Sequence, residues 1–342
     1  MTNLLKISRR GFLAFPLALG ACKFGRDVSE VSGLTMGTTY KVVVIDDGIG
    51  ISESELRSAI DLALLDVNKQ LSNWDQSSEI SQFNARSGTD DVTVSPALSE
   101  VMRAAEAVNV ASRGTFDTTI GPLIELWGFG ASGSQRMPSA DQIASAKLRA
   151  GHANTLQVGA STLRKRRPDS QVYLSAIGKG YGADQIGRAV ETLGAQNYMV
   201  EIGGDLYASG SNPSGLPWQI GIERPSALSG GVIDVVGVSG VGLASSGDYR
   251  NYFERDGERY SHIIDPTTGR PITHKTASAT VLADNAMLAD AWATAMLILG
   301  RGRGLEIADE NGIGVLFVER DTNAEGLQFT TQANARFEAL AA

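Results

Sequence analysis

Leu174-Ser175-Ala176-Ile177-Gly178-Lys179-Gly180-Tyr181-Gly182-Ala183 admits two readings, and the fold class turns on the choice between them. Gly178 to Ala183 fits G-x-G-x-x-A. A strand-like Val172-Tyr173-Leu174 precedes it, a helix-like segment follows, and Glu201 stands about 20 residues on at a strand end, as in a dinucleotide-binding βαβ unit. Against this, Ser175, Ala176 and Ile177 separate the apolar run from the first glycine, the unit is not repeated, and the strand ending at Glu201 runs into Gly203-Gly204-Asp205 instead of a further βαβ. In the other reading the glycines only permit tight packing.

Outward from there, Tyr40 to Ile45 reads as a strand, and Ser52 with Glu55 forms a capping box opening a helix with Leu56, Ile60, Leu64, Val67 and Leu71 on one face. Ser95-Pro96 starts a second helix with Leu98, Val101, Ala105 and Val108 inward and Gly114 past its end. Residues 131–138 read as a Gly/Ser/Pro loop. Further strands are expected over 198–202, 232–238, 279–282 and 313–318, and an apolar helix over 287–299, capped by Asp284 or Asn285 and stopped by Gly300. Helices and strands mix without strict alternation, which favours α+β over a doubly wound sheet.

The chain has 342 residues, 42% apolar and 20% charged, as an ordinary globular protein does. A net charge of −8 without a basic stripe argues against a nucleic-acid partner. Ser8-Arg9-Arg10-Gly11-Phe12-Leu13 reads as a twin-arginine export signal, followed by an apolar run from Phe12 to Ala21 too short to span a bilayer. Leu19-Gly20-Ala21-Cys22 places small residues before the chain's one cysteine, the pattern of a lipoprotein cleavage site. The expectation is a signal over 1–22, one domain over 23–342, and a lipid anchor through Cys22 on the periplasmic side of a bacterial membrane.

Chemistry-bearing residues concentrate in Ser245-Ser246-Gly247-Asp248-Tyr249-Arg250-Asn251-Tyr252-Phe253 and Ser261-His262-Ile263-Ile264-Asp265-Pro266-Thr267-Thr268-Gly269-Arg270-Pro271. In the apolar helix, Asp290 and Thr294 stand at i and i+4, so both oxygens face one side. That suits Mg²⁺, and equally suits a carboxylate placed by the helix dipole beside a threonine bonded to its own backbone. With Met36-Gly37-Thr38-Thr39-Tyr40, the run from Gly114 to Leu123, Leu174 to Tyr181, and Glu201 to Asp205, these blocks follow one order from residue 36 to 300. The ordered set resembles the ApbE family, flavin transferases that attach FMN covalently to partner proteins.

The resemblance implies an α+β fold of two closely packed lobes with the flavin between them. It implies Mg²⁺ on Asp290, Thr294 and the main-chain carbonyl of Ala176; Ala293 stands where some relatives carry a second aspartate. It points to Met36, Trp74, Thr115, Phe116, Asp117, Lys179 and Ile264 as contacts of FAD, the substrate, and Tyr173 occupies an adenosine-contact position where relatives often have aspartate. Trp74 reads equally as a stacking platform or as core. The implied reaction moves FMN from FAD to a threonine or serine hydroxyl of a flavin-acceptor protein in a membrane redox complex, releasing AMP. His262 is the candidate for proton transfer, or else a structural hydrogen-bonding residue, and Asp248 and Arg250 are candidates for positioning phosphate or acceptor backbone. The alternatives are an FAD pyrophosphatase, a non-enzymatic FAD-binding lipoprotein and a solute-binding lipoprotein.

Overall fold

The computed structural model describes residues 27–130, 133, 135–226, 230–321 and 327–341, so the expected export signal and Cys22 lie outside the described residues. Strands Asp27–Thr35, Thr38–Asp46, Tyr198–Ile202, Asp205–Ser209, Val241–Gly247, Thr276–Ala283, Gly314–Asp321 and Gln328–Ala333 form one sheet in that order. Every neighbouring pair is antiparallel. A doubly wound nucleotide fold requires parallel neighbours joined by crossover helices, so the class is α+β.

The glycine-rich segment has a packing role. Residues 172–174 are extended but join no sheet; the Asn84 side chain accepts from Val172 N–H, Asn73 accepts from Leu174 N–H, and both amides donate to the Val172 carbonyl. The helix Gly178–Thr192 then starts directly and packs against the helix Ala286–Asn311. A Cβ on Gly180 would sit 2.1 Å from the Ala286 carbonyl oxygen, so backbone meets backbone where only glycine fits.

Helix Glu53–Leu71 carries the expected capping box and buries the five expected residues, because cap and apolar period are both local signals. Helix Pro96–Ala111 starts after a Ser95 cap. Asn285 caps the third, and Gly300 (φ 68°) breaks it without ending the helical run: His274 Nε2 lies 3.3 Å from the Ile298 carbonyl freed by the break, and helix resumes to Asn311. The expected strands over 279–282 and 313–318 are longer, Thr276–Ala283 and Gly314–Asp321.

Both sheet faces are covered. Val42, Val44, Val200 and Ile202 pack against Leu56, Ile60, Ile186 and Val190 of the helices. On the other face Val43, Ile45, Leu243 and Leu316 meet Trp218, Ile222 and Val236 of the hairpin Trp218–Glu223/Val232–Val238 and Phe337 of the terminal helix. Each such side chain contributes about 1.5–3 kcal/mol. A separate cluster of Leu123, Trp127, Ile143 and Ile264 is extended by the hairpin Tyr252–Arg255/Glu258–Ser261, whose Tyr260 lies 5.9 Å from Trp127 and 5.2 Å from Phe253, centre to centre.

The strand register brings the distant blocks together. Tyr40 pairs with Ile202, Ile202 with Asp205, and Leu206 with Leu243. The turns at Met36-Gly37 and Gly203-Gly204 and the exit of the chain at Gly247 therefore fall at one end of the sheet. Both turns hold two consecutive positive φ values, the twist that two-residue hairpins prefer.

Candidate active site

A cavity of about 610 Å³ opens at that end of the sheet. Thr115, Phe116, Asp117, Tyr173, Ala176, Lys179, Arg250, His262, Ile264, Asp290 and Thr294, all anticipated from sequence, line it together. Strand Val241–Gly247 pairs with Asp205–Ser209 only as far as Leu243, so Ser245, Ser246 and Gly247 face the cavity beside the Gly203-Gly204 turn.

The inner wall carries a buried ionic cluster. Lys179 Nζ donates to Asp205 and lies 3.5 Å from Asp290 Oδ1, while Gly180 N–H donates to Asp290 Oδ2 at 3.1 Å. Asp205 and Asp290 are both about 3% exposed. Burial opposes charge on Lys179, but Asp290 and Asp205 outweigh it and hold the ammonium above its ordinary pKa. Burial and then the neighbouring Asp290 push Asp205 up to about 8. Two carboxyl groups share one ammonium here, so the second keeps its proton unless a further cation replaces it.

Thr294, one turn beyond Asp290, exchanges a 3.2 Å hydroxyl contact with Ser246. Asp290, Thr294 and Ala176 share the cavity wall, and the set is carboxylate, hydroxyl and main-chain oxygen. Hard oxygen donors beside a second carboxyl group fit a magnesium ion, which keeps several non-protein ligands. Among the described residues no group of three or more His, Cys, Asp or Glu side chains could hold a metal, so a metal here would need this mixed set.

His262 stands on another part of the wall. Its backbone N–H donates to Asn251 O at 3.0 Å, and its Nδ1 lies 3.0 Å from the same oxygen. A carbonyl only accepts, so Nδ1 bears the proton and Nε2 of the neutral ring keeps its lone pair. Burial lowers the His262 pKa, while the Asn251 carbonyl and Asp248 pull the other way. Phe129 meets the ring edge-on at 6.3 Å.

Other expected residues stand differently. Asp248 does not line the cavity; it is buried and takes Arg320 through both carboxylate oxygens. Met36 packs between the two helical clusters, with its methyl near Gly182, and is absent from the cavity wall. Trp74, 84% exposed, is neither core nor lining, although its neighbour Asn73 holds the backbone on both sides of cavity-lining Tyr173. Arg250 lines the mouth and is paired with Glu223 at 2.5 Å. Asp117 accepts from Thr119 and from Gly151 N–H, a local cap on the cavity wall. The Tyr173 ring fills the space a Cβ on Gly121 would need. Asp265 to Gly269 forms a turn, anchored by Trp127 Nε1 on the Gly269 carbonyl at 2.9 Å.

Sequence reasoning gave no role to Asp205, although it closed a quoted block; its signal was a carboxylate straight after a two-glycine turn. Glu223, Tyr249 and the hydroxyls of Ser245, Ser278 and Thr280 also line the cavity, with Ser245 and Thr280 in contact at 2.8 Å. For Ser278 and Thr280, alternation along one strand was the available signal.

Residues 36–317 match the profile of the ApbE family. The chain is 40% identical to the FAD:protein FMN transferase of Haemophilus influenzae, covering 96% of each chain, and 36% identical to that of Escherichia coli K12, covering 92% of this chain and 89% of the relative. Among solved structures it is similar to the flavin transferase ApbE from Vibrio cholerae, with a TM-score of 0.82 and 36% identity over 92% of this chain and 99% of that one. The apo flavinyl transferase ApbE of Pseudomonas stutzeri gives 0.83 and 36% over 93% and 98%. A profile matching residues 36–317, with a relative 40% identical over 96% of the chain, shows that the chain belongs to the ApbE family.

Proposed function

We propose that this protein transfers FMN from FAD to a serine or threonine hydroxyl of a partner protein, releasing AMP. The observation that carries the reading is a single cavity with a buried Asp205–Lys179–Asp290 cluster on one wall and a histidine with its Nε2 lone pair free on another. The relatives' activity supports it. Asp290, Thr294 and the Ala176 carbonyl would hold Mg²⁺, which when bound supplies positive charge for the pyrophosphate.

The chain's own residues do the remaining work. His262 Nε2 takes the proton of the acceptor hydroxyl as its oxygen bonds to the phosphorus nearest the riboflavin, and the bond from that phosphorus to the bridging oxygen breaks, with AMP leaving. Lys179, kept charged by its acidic partners, would hold Asp290 and Asp205 in place on the wall that faces the pyrophosphate. Phe116, Ile264 and Tyr173 supply apolar and aromatic wall, and Arg250 and Glu223 border the mouth where acceptor backbone enters. The flavin would lie between the sheet body and the aromatic cluster around Trp127. The acceptor would be a subunit of a membrane redox complex, and the enzyme would face it from the periplasmic side, anchored through Cys22 as a domain over 23–342.

The test is to incubate residues 23–342 with FAD, MgCl₂ and a flavin-acceptor domain, following in-gel flavin fluorescence and AMP, with Asp290→Ala as control. Fluorescent acceptor lost in the variant supports the reading. AMP and FMN without labelling would instead indicate a pyrophosphatase, and neither product a binding protein.

A further inference from the structure

Two arginines outside the cavity converge on the turn that orients His262. Arg320, on strand Gly314–Asp321, grips the buried carboxylate of Asp248 with Nη1 on Oδ2 at 3.0 Å and Nη2 on Oδ1 at 2.5 Å. Arg259, on the aromatic hairpin, donates from Nη2 to the Asp248 main-chain carbonyl at 2.6 Å. Its Nη1 lies 3.7 Å from Oδ1, and its guanidinium stacks 3.9 Å above the Tyr252 ring. Asp248 N–H donates to Ala277 O at 3.1 Å, tying the turn to the sheet. The side chain and both main-chain polar groups of Asp248 are therefore fixed, three residues before the carbonyl that receives His262.

That carbonyl, Asn251 O, takes both the His262 backbone N–H and Nδ1. Phe129 meets the ring edge-on. The tautomer of His262 therefore depends on where one carbonyl sits, and that carbonyl belongs to a turn clamped at its start by two cations from different parts of the chain. A bidentate guanidinium–carboxylate pair fixes orientation in a way a point charge does not.

We infer that Arg320 and Arg259, acting through Asp248 and the Asn251 carbonyl, are positioning residues that hold His262 in the Nδ1-protonated tautomer with Nε2 directed at the substrate. The role is the one known for the partner of a histidine base, here filled by a backbone carbonyl whose own place is set by an Arg–Asp–Arg clamp. Neither arginine lines the cavity, so their effect on His262 runs through Asp248 and the turn. The inference rests on the reading of His262 as the proton acceptor.

The experiment uses ¹⁵N-histidine-labelled protein. The chain has three histidines, His152, His262 and His274, so His262→Gln assigns the resonance. The native protein is expected to show one tautomer at His262, protonated at Nδ1. Arg320→Met should give a mixture of tautomers and a kcat at least tenfold lower at unchanged KM for FAD, Arg320→Lys an intermediate result, and Arg259→Lys the same direction should Arg320→Met fold poorly. Combined with His262→Gln, the Arg320→Met effect on kcat should vanish, since both act on one group. An unchanged tautomer in the arginine variants, or losses that multiply in the double variant, overturns the inference. Full flavinylation by His262→Gln would sink the proton-acceptor reading instead, and the tautomer measurement would still decide whether the clamp orients the ring.

Discussion

The three glycines of Gly178-Lys179-Gly180-Tyr181-Gly182 separate a packing motif from a phosphate loop, because alanine meets a different obstacle at each. At Gly178 the added Cβ would meet only Leu174 Cβ, at 4.0 Å, in ordinary contact. Alanine there should gain helix propensity, roughly 0.5–1 kcal/mol. At Gly182 it would come within 2.8 Å of the Met36 methyl and 3.1 Å of Ile202 Cδ1. The thioether end can swing aside, so the cost should be about 1 kcal/mol or less after the propensity gain. At Gly180 it would lie 2.1 Å from the Ala286 carbonyl oxygen and 2.8 Å from Met287 Cα, and backbone cannot rotate away. The helix must retreat, at roughly 1–3 kcal/mol of overpacking. The retreat also stretches the bond from Gly180 N–H to the buried Asp290 carboxylate, worth about 1.5–3 kcal/mol. Net of propensity, Gly180→Ala should cost about 2–5 kcal/mol. Urea unfolding of the three variants measures these differences directly, and the expected order of stability is Gly178→Ala above Gly182→Ala above Gly180→Ala. A Gly180→Ala protein within about 0.5 kcal/mol of the native one, or a Gly178→Ala protein unchanged in stability but unable to bind FAD, would refute the packing account.

Replacing His262 by Gln should lower kcat by roughly 10²–10⁴. Because burial holds His262 below its ordinary value of about 6.5, it stays in its basic form to lower pH, so the acidic limb of the native pH–rate profile should fall below pH 6.5 and disappear in the variant. Asp184 accepts from the Ala286 and Met287 N–H groups at the start of the long helix, yet burial raises it to about 6. A folded pKa above the unfolded one means stability is present below about pH 4 and lost as pH rises through 6; unfolding measured across that window should show the loss, and Asp184→Asn should remove the slope. Trp127, about 1% exposed, fills the centre of the aromatic cluster and holds the Gly269 carbonyl. Trp127→Ala should cost about 3–5 kcal/mol in thermal or urea unfolding, and a cost below 1 kcal/mol would mean the cluster packs without it.

What could be read from sequence follows the range of the interaction. Helix Glu53–Leu71 was legible because its cap and apolar stripe lie within a few residues of one another. The strand Tyr198–Ile202 was legible for a similar reason, an apolar alternation ended by two glycines. The hairpin Tyr252–Arg255/Glu258–Ser261 carries a signal that was passed over, an Asp256-Gly257 turn with both φ values positive, because its residues were read for chemistry instead of for conformation. Trp74 shows the opposite limit. Its composition suits either a platform or a core, and only the fold decides that it is neither against the chain nor inside it.

The site divides along the same line. Asp290 and Thr294 are one helical turn apart, so their common direction was legible without any fold. The charge that surrounds them was not, because Lys179 and Asp205 reach Asp290 from a helix start and a strand start that only tertiary packing brings together. Asp248 is the sharpest case. Its place in a reactive segment suggests contact with substrate, whereas its carboxylate is spent on Arg320, 72 residues away. Motif membership identifies residues that matter to a site. Whether such a residue meets the substrate or holds one that does depends on where its long-range partners place it: Asp290, held by Gly180 and Lys179, stays in the cavity wall, whereas Asp248, held by Arg320, is turned away from it.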